Sequence, residues 1–188
     1  MKTKLSTSAF DSKYKLDIRQ VVNYSPDDLF KRYTKFPYVI DYDVKLSNGL
    51  PLQRDFVWSI EQKRALIVSM LKELQLPNFL VVLYRADDSE RTTTLKIIDG
   101  KQRLSTIEQF INGEFGLMLE DEEYFFVDLD VDAKRRINSY SLNFNIIYEY
   151  DDCKLSDAQL VSAFEYVNFA GTPQDIEHFD KLKTYIKE

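Results

Sequence analysis

The chain has 188 residues, 44% of them hydrophobic and 14% aromatic, which is enough for one domain with its own core, and five Gly and five Pro against thirteen Phe and twelve Tyr exclude a disordered or low-complexity chain. A net charge of −6 argues against broad electrostatic binding to DNA, which depends on Lys and Arg displacing counterions, but leaves room for a local basic pocket. Cys153 and His178 each stand alone, which excludes an intramolecular disulfide, a cysteine-built zinc site, a His-Asn-His nuclease centre and any multi-histidine metal site.

Residues 1–24 alternate polar and charged types without a clear period and read as an arm or an irregular edge; a domain over 25–188 follows. MKTKLSTSAF lacks the apolar core of a signal peptide, and no stretch approaches the roughly 20 apolar residues of a membrane span, so a cytoplasmic protein with no membrane partner is expected. SPDDLFKRYTK predicts a short helix, with Ser25 as cap, Pro26 at the first position and Asp27 and Asp28 near the positive end of the dipole. YVIDYDVKL alternates as a strand and SNGLP turns. In WSIEQKRALIVSMLKELQLP, Ser59 and Gln62 have capping-box spacing, Leu66, Ile67, Met70, Leu71 and Leu74 share a face, and Pro77 is the expected stop.

FLVVLYR and TLKIID, joined by a polar loop, predict two antiparallel strands. Past Gly100 the period becomes helical at Leu104, Ile107, Phe110 and Ile111, with Asn112-Gly113 as the stop. EYFFVDL and SLNFNIIYEY read as strands, the second alternating at Leu142, Phe144, Ile146 and Tyr148, with DAKRRINSY a short helix between them. The run EDEE at 120–123 reads as a solvated loop. LSDAQLVSAFEYVN carries another capping box, Ser156 and Gln159, and after Gly171 the pair Thr172-Pro173 starts a last helix. The element order predicts a mixed α/β (α+β) fold: a small sheet with flanking helices in one domain.

The chemistry concentrates where the strand TLKIID enters its helix. A strand ending in Asp-Gly leaves free N–H groups at the positive end of the helix dipole, which suits an anion. Lys101 and Arg103 add charge, arginine gripping phosphate bidentately, and Gln102 suits a neutral polar edge. Asp99 orients Arg103, caps the helix or holds a divalent metal that bridges to phosphate; the plainer alternative makes it a simple cap and the cations a solvated first turn. LPLQRDFVW places Gln53 and Arg54 before the long helix, where Arg54 pairs with Asp55 or Asp99 or joins the site. VNFAGTPQ offers Gly171 for close backbone approach and Thr172-Pro173 as another helix start.

"PLQRDFVW", "IIDGKQRLSTIEQFINGEF" and "FEYVNFAGTPQ" together resemble the three ordered signature blocks of the N-terminal domain of GmrSD-type modification-dependent restriction enzymes, over roughly residues 40 to 180. The central block, written Asp-Gly-Gln-Gln-Arg in that family, here reads Asp-Gly-Lys-Gln-Arg. The resemblance implies a ParB/sulfiredoxin-like fold and a nucleotide-binding, NTP-hydrolysing or DNA-sensing module. It carries over Asp99, Gly100, Gln102 and Arg103 from the central block, Gln53 and Arg54 from the first, and Asn168, Gly171 and Thr172 from the third. Asp99 and Arg103 are the expected catalytic pair. The others, with Lys101, are expected to bind nucleotide or phosphate, with Mg²⁺ needed if hydrolysis occurs and no metal bound by the protein alone. The full-length enzymes add a separate His-Asn-His nuclease domain, which a chain with one histidine is not expected to rebuild; the expectation is then a separate nuclease subunit as partner, a chain cut short of its nuclease, or another role. The competing expectation is a non-catalytic module that binds DNA or protein, as a regulator or decoy of a restriction system.

Overall fold

The computed structural model describes residues 18–30, 38–53, 55, 57–85, 93–150, 154–169, 181 and 184–185. The arm over 1–17, the loop at 86–92, Arg54, Cys153, Gly171, Thr172 and His178 lie outside the described residues, as does most of the last helix, of which residues 181, 184 and 185 are helical. In chain order the elements are β1 (Ile18–Tyr24), α1 (Pro26–Phe30), β2 (Tyr38–Asp41), α2 (Ile60–Leu71), β3 (Phe79–Arg85), β4 (Thr93–Asp99), α3 (Lys101–Ile111), β5 (Leu117–Leu119), β6 (Glu122–Tyr124), a 3-10 turn (Phe126–Asp128), α4 (Val131–Asn138), β7 (Leu142–Glu149) and α5 (Asp157–Phe169). Among the described residues no helix is long and apolar enough to cross a membrane.

Five strands form one mixed sheet in the order β1-β7-β3-β4-β2, which bears out the mixed α/β class. β3 and β4 pair antiparallel, as their short connection requires, β3 runs parallel to β7, and β2 lies parallel to β4 at one edge. The other edge is β1, so residues 18–24 of the expected arm are a strand, with a register shift between Ile18 and Gln20. The adjacent Val21 and Val22 hid its two-residue period: Val22 and Tyr24 pack against the core while Val21 is exposed, as an edge strand allows.

Both faces of the sheet are covered. On one, Phe79, Val81, Ile97, Phe144 and Ile146 pack with Ile67 and Met70 of α2, Leu104, Ile107 and Phe110 of α3 and Ile137 of α4. On the other, Leu80, Val82, Ile98 and Ile147 pack with Leu160, Val161 and Ala163 of α5 and with Val44, Leu46 and Leu52 of the segment after β2. Alternation along β7 is therefore real at Leu142, Phe144, Ile146 and Tyr148, yet Ile147 and Glu149 are buried on the opposite side. Glu149 accepts from Lys96 and from the Leu155 N–H (3.0 Å), so a paired carboxylate anchors the approach to α5.

Local signals explain most boundaries. Ser59 and Gln62 form the capping box of α2, and Ser156 and Gln159 bond reciprocally ahead of α5. α2 ends at Leu71, ahead of Pro77: Leu74 N–H reaches Ser69 O and Glu73 N–H reaches Met70 O (both 2.9 Å), a Schellman stop with Glu73 at φ 57. Gly113, at φ 76, ends α3 in the same way, as expected. Two expected strands are shorter in the fold. YVIDYDVKL is a strand only to Asp41, beyond which Val44 to Leu52 fold back on a turn at Gly49. EYFFVDL leaves the strand at Tyr124, where Asp128 takes the Phe125 N–H (2.9 Å) and closes a 3-10 turn.

Candidate functional site

Ile97 and Ile98 drive β4 into the core on both faces, so the strand ends rigidly and delivers Asp99-Gly100 to the start of α3. Gly100 adopts φ 99, and a Cβ there would overlap the Phe79 ring, meeting Cε1 at 2.8 Å. Glycine is required twice over, by the left-handed backbone and by the close approach of the ring. Because Gly100 is the N-cap residue, no side chain caps α3, and the N–H groups of its first turn keep their capacity for an anion.

Asp99 does not cap the helix. Its Oδ2 accepts from Arg103 Nη2 at 2.8 Å, four residues on. Arg103 also donates to the carbonyls of Pro77 and Asn78, the latter at 3.3 Å, and its guanidinium carbon stands 4.5 Å from the centre of the Phe79 ring. The side chain is only 14% exposed. Burial pushes its pKa down while Asp99 pulls the other way, and an arginine stays charged through shifts of this kind. Asp99 is one-third exposed, and its Oδ1 takes no hydrogen bond from the described residues.

Lys101, with 12% of its side chain exposed, pairs with Asp43 (2.9 Å), which is 77% exposed. The hydrogen bond and charge of Lys101 hold the Asp43 carboxyl below the usual range. The two cations are thus fixed in ion pairs, not spread as a solvated first turn. Gln102 joins the first sequence block to the second: its Oε1 accepts from the N–H groups of Val57 (3.0 Å) and Trp58 (3.2 Å), and its Nε2 donates to Asp55 O (3.1 Å). Gln53 completes the seam, donating to Ile97 O at 2.5 Å. Behind it Tyr42 donates to Glu108 Oε2 (2.8 Å), and burial with that carboxylate raises the phenol far above its ordinary value.

The structure therefore brings together Gln53, Asp99, Gly100, Lys101, Gln102 and Arg103. Asn168 lies in the last turn of α5, the helix over the second sheet face. Four participants escaped the sequence reading. Asp43 sits in DYD, where its spacing from the strand was the only signal; Phe79 reads as an ordinary core residue; and the carbonyls of Pro77 and Asn78 are backbone, which side-chain identity does not reveal. EDEE divides, with Glu120 and Asp121 as a turn at φ 50 and 66 while Glu123 binds Arg64 at 2.7 Å and the Gly116 N–H at 3.1 Å. Among the described residues no group of His, Cys, Asp and Glu is placed to hold a metal ion.

A mixed α/β domain with a rigid Asp-Gly junction at an uncapped helix start is a scaffold suited to anion binding. Residues 28–187 match the family described as GmrSD restriction endonuclease, N-terminal domain, and the chain belongs to that family. Membership makes it a restriction-related module. Comparison with curated proteins and with solved structures finds no match.

Proposed function

We propose that this domain binds a nucleoside triphosphate at the β4–α3 junction and hydrolyses it as the regulatory module of a restriction system. The observation that carries the reading is the seam made by Gln102. One amide ties the segment at 55–58 to the helix start that bears Lys101 and Arg103, so two polar stretches some 45 residues apart are held at one point.

In this reading the free N–H groups of α3 and the ammonium of Lys101 receive phosphate oxygens, with Asp43 yielding its place to the ligand. Preorganised donors of this kind act on charge without reorganising. Arg103, caged by two carbonyls and stacked on Phe79, holds Asp99 so that Oδ1 stays open to water. If hydrolysis needs Mg²⁺, Asp99 would be the one junction carboxylate available to hold it together with the nucleotide, since Mg²⁺ commonly takes only one or two carboxylates from a protein; when bound it would neutralise charge on the transferred phosphoryl group. Arg54, Asn168, Gly171 and Thr172 belong to the same reading through the family's blocks.

Nucleotide binding and turnover by the purified chain, repeated for Lys101→Met and Asp99→Ala, test it. Loss of binding in the first and of turnover in the second is expected, and variants that behave like the wild type would reject the site. A second reading, that the domain is a non-catalytic DNA- or protein-binding module, draws support from one observation: the Arg103 guanidinium is already committed to Pro77, Asn78 and Asp99. A steep salt dependence of DNA binding without turnover would favour that alternative.

A further inference from the structure

The run KRR in DAKRRINSY has no part in the junction. Its two arginines stand in α4 beside an open cleft of about 540 Å³, set between the segment after α2 and the turn from α4 into β7. Arg135, Arg136, Gln75, Ser141 and Asn143 line it, and among the described residues Glu73 is the only acid in the lining. Tyr140 pins the two walls together: its hydroxyl donates to Leu74 O and accepts from the Leu76 N–H at 3.1 Å.

Two features give the cleft a chemistry. Arg135 and Arg136 are both exposed and held only at its margins: Arg135 pairs with exposed Asp132 at 3.0 Å, while Arg136 makes long contacts to Glu73 (3.4 Å) and Leu71 O (3.3 Å). Such contacts hold a guanidinium weakly. The side chains of Gln75, Ser141 and Asn143 make no hydrogen bond among the described residues, so two amides and a hydroxyl offer unspent donors.

We propose that this cleft is a second binding site, specific for a phosphate ester. Two guanidiniums with hydroxyl and amide donors are the side chains that contact phosphate and sugar oxygens. A carboxylate, with only two oxygens, would leave most of these donors unused, whereas a phosphate ester presents more oxygens to them. The volume matches a ligand of nucleotide size. The site is separate from the β4–α3 junction but joined to it. From the cleft wall at Gln75 the chain runs through Leu76 to Pro77 and Asn78, whose carbonyls receive Arg103.

The test is fluorescence anisotropy with a labelled single-stranded oligonucleotide of about a dozen nucleotides, followed by competition with a nucleoside monophosphate. The wild type binds the strand, Arg135→Gln weakens binding roughly tenfold, and Lys101→Met leaves it unchanged. Glu73→Gln, which removes the acid of the described lining, tightens it roughly threefold, a gain that damage to the fold would not produce. Competition by the monophosphate assigns the site to phosphate esters at large, and its failure assigns it to a strand backbone; both outcomes support the site. Absence of strand binding, indifference to Arg135→Gln and Glu73→Gln, or loss through Lys101→Met would overturn it. Because Lys101 belongs to the junction alone, failure here leaves the reading of the junction standing.

Discussion

Gly100 shows most directly how one residue sets the site. Its φ of 99 and the Phe79 ring pressed against its Cα leave no room for a side chain. Gly100→Ala should cost about 2–4 kcal/mol, since left-handed strain and overpacking act together, and denaturant unfolding measures it; a loss under about 1 kcal/mol would mean that the junction relaxes freely. Asp-Gly before a helical period was legible from sequence because glycine at a turn has a backbone cause. What Asp99 does there was not legible, since capping and orienting Arg103 fit the same spacing. The outcome depends on Phe79 and on two carbonyls from the α2–β3 connection, which no pattern around residue 99 reports.

Helix starts and the central strands could be read from local letters because capping boxes and apolar periods act within a few residues. Ends and edges could not. α2 stops at Leu71, short of Pro77, because a Schellman turn needs only a left-handed residue just past the cap, here Glu73, and the adjacent Val21 and Val22 of β1 blur the two-residue period of an edge strand. Two predictions belong to this scale. The two-residue link between β5 and β6, Glu120-Asp121, has both residues left-handed, the conformation that Asn-Gly adopts most easily. Replacing the pair by Asn-Gly should raise stability by roughly 0.5–1 kcal/mol in thermal unfolding; a loss would show that the acids at the tip hold the turn. Gln102→Ala should free the segment at 55–58, so amide exchange at Val57 and Trp58 quickens and stability falls by about 1–2 kcal/mol. Unchanged exchange would mean that the segment is held some other way.

Across the whole molecule, distant stretches are locked by polar contacts laid over an apolar two-faced sheet. Asp43 with Lys101 and Glu123 with Arg64 fasten the segment after β2 and the β5–β6 hairpin, and in each pair the cation holds the carboxyl below its usual pKa. Carboxylates depressed in the folded state stabilise it above their unfolded pKa of about 4, and that contribution disappears as pH falls through the lower folded value. The melting temperature should therefore drop between about pH 5 and pH 3, and less steeply for Glu123→Gln; equal slopes would remove Glu123 from the account. Which stretches meet was hidden from the sequence, because Gln102 takes its partners from the backbone of Asp55, Val57 and Trp58, which side-chain letters do not report. The central claim, that the first turn of α3 receives phosphate, is tested most directly by following the backbone amide resonances of Lys101, Gln102 and Arg103 while ATP and Mg²⁺ are titrated in. The account predicts that these three shift together and saturate, ahead of amides elsewhere in the sheet. Resonances that stay still at saturating nucleotide, or shifts confined to another part of the molecule, would contradict it.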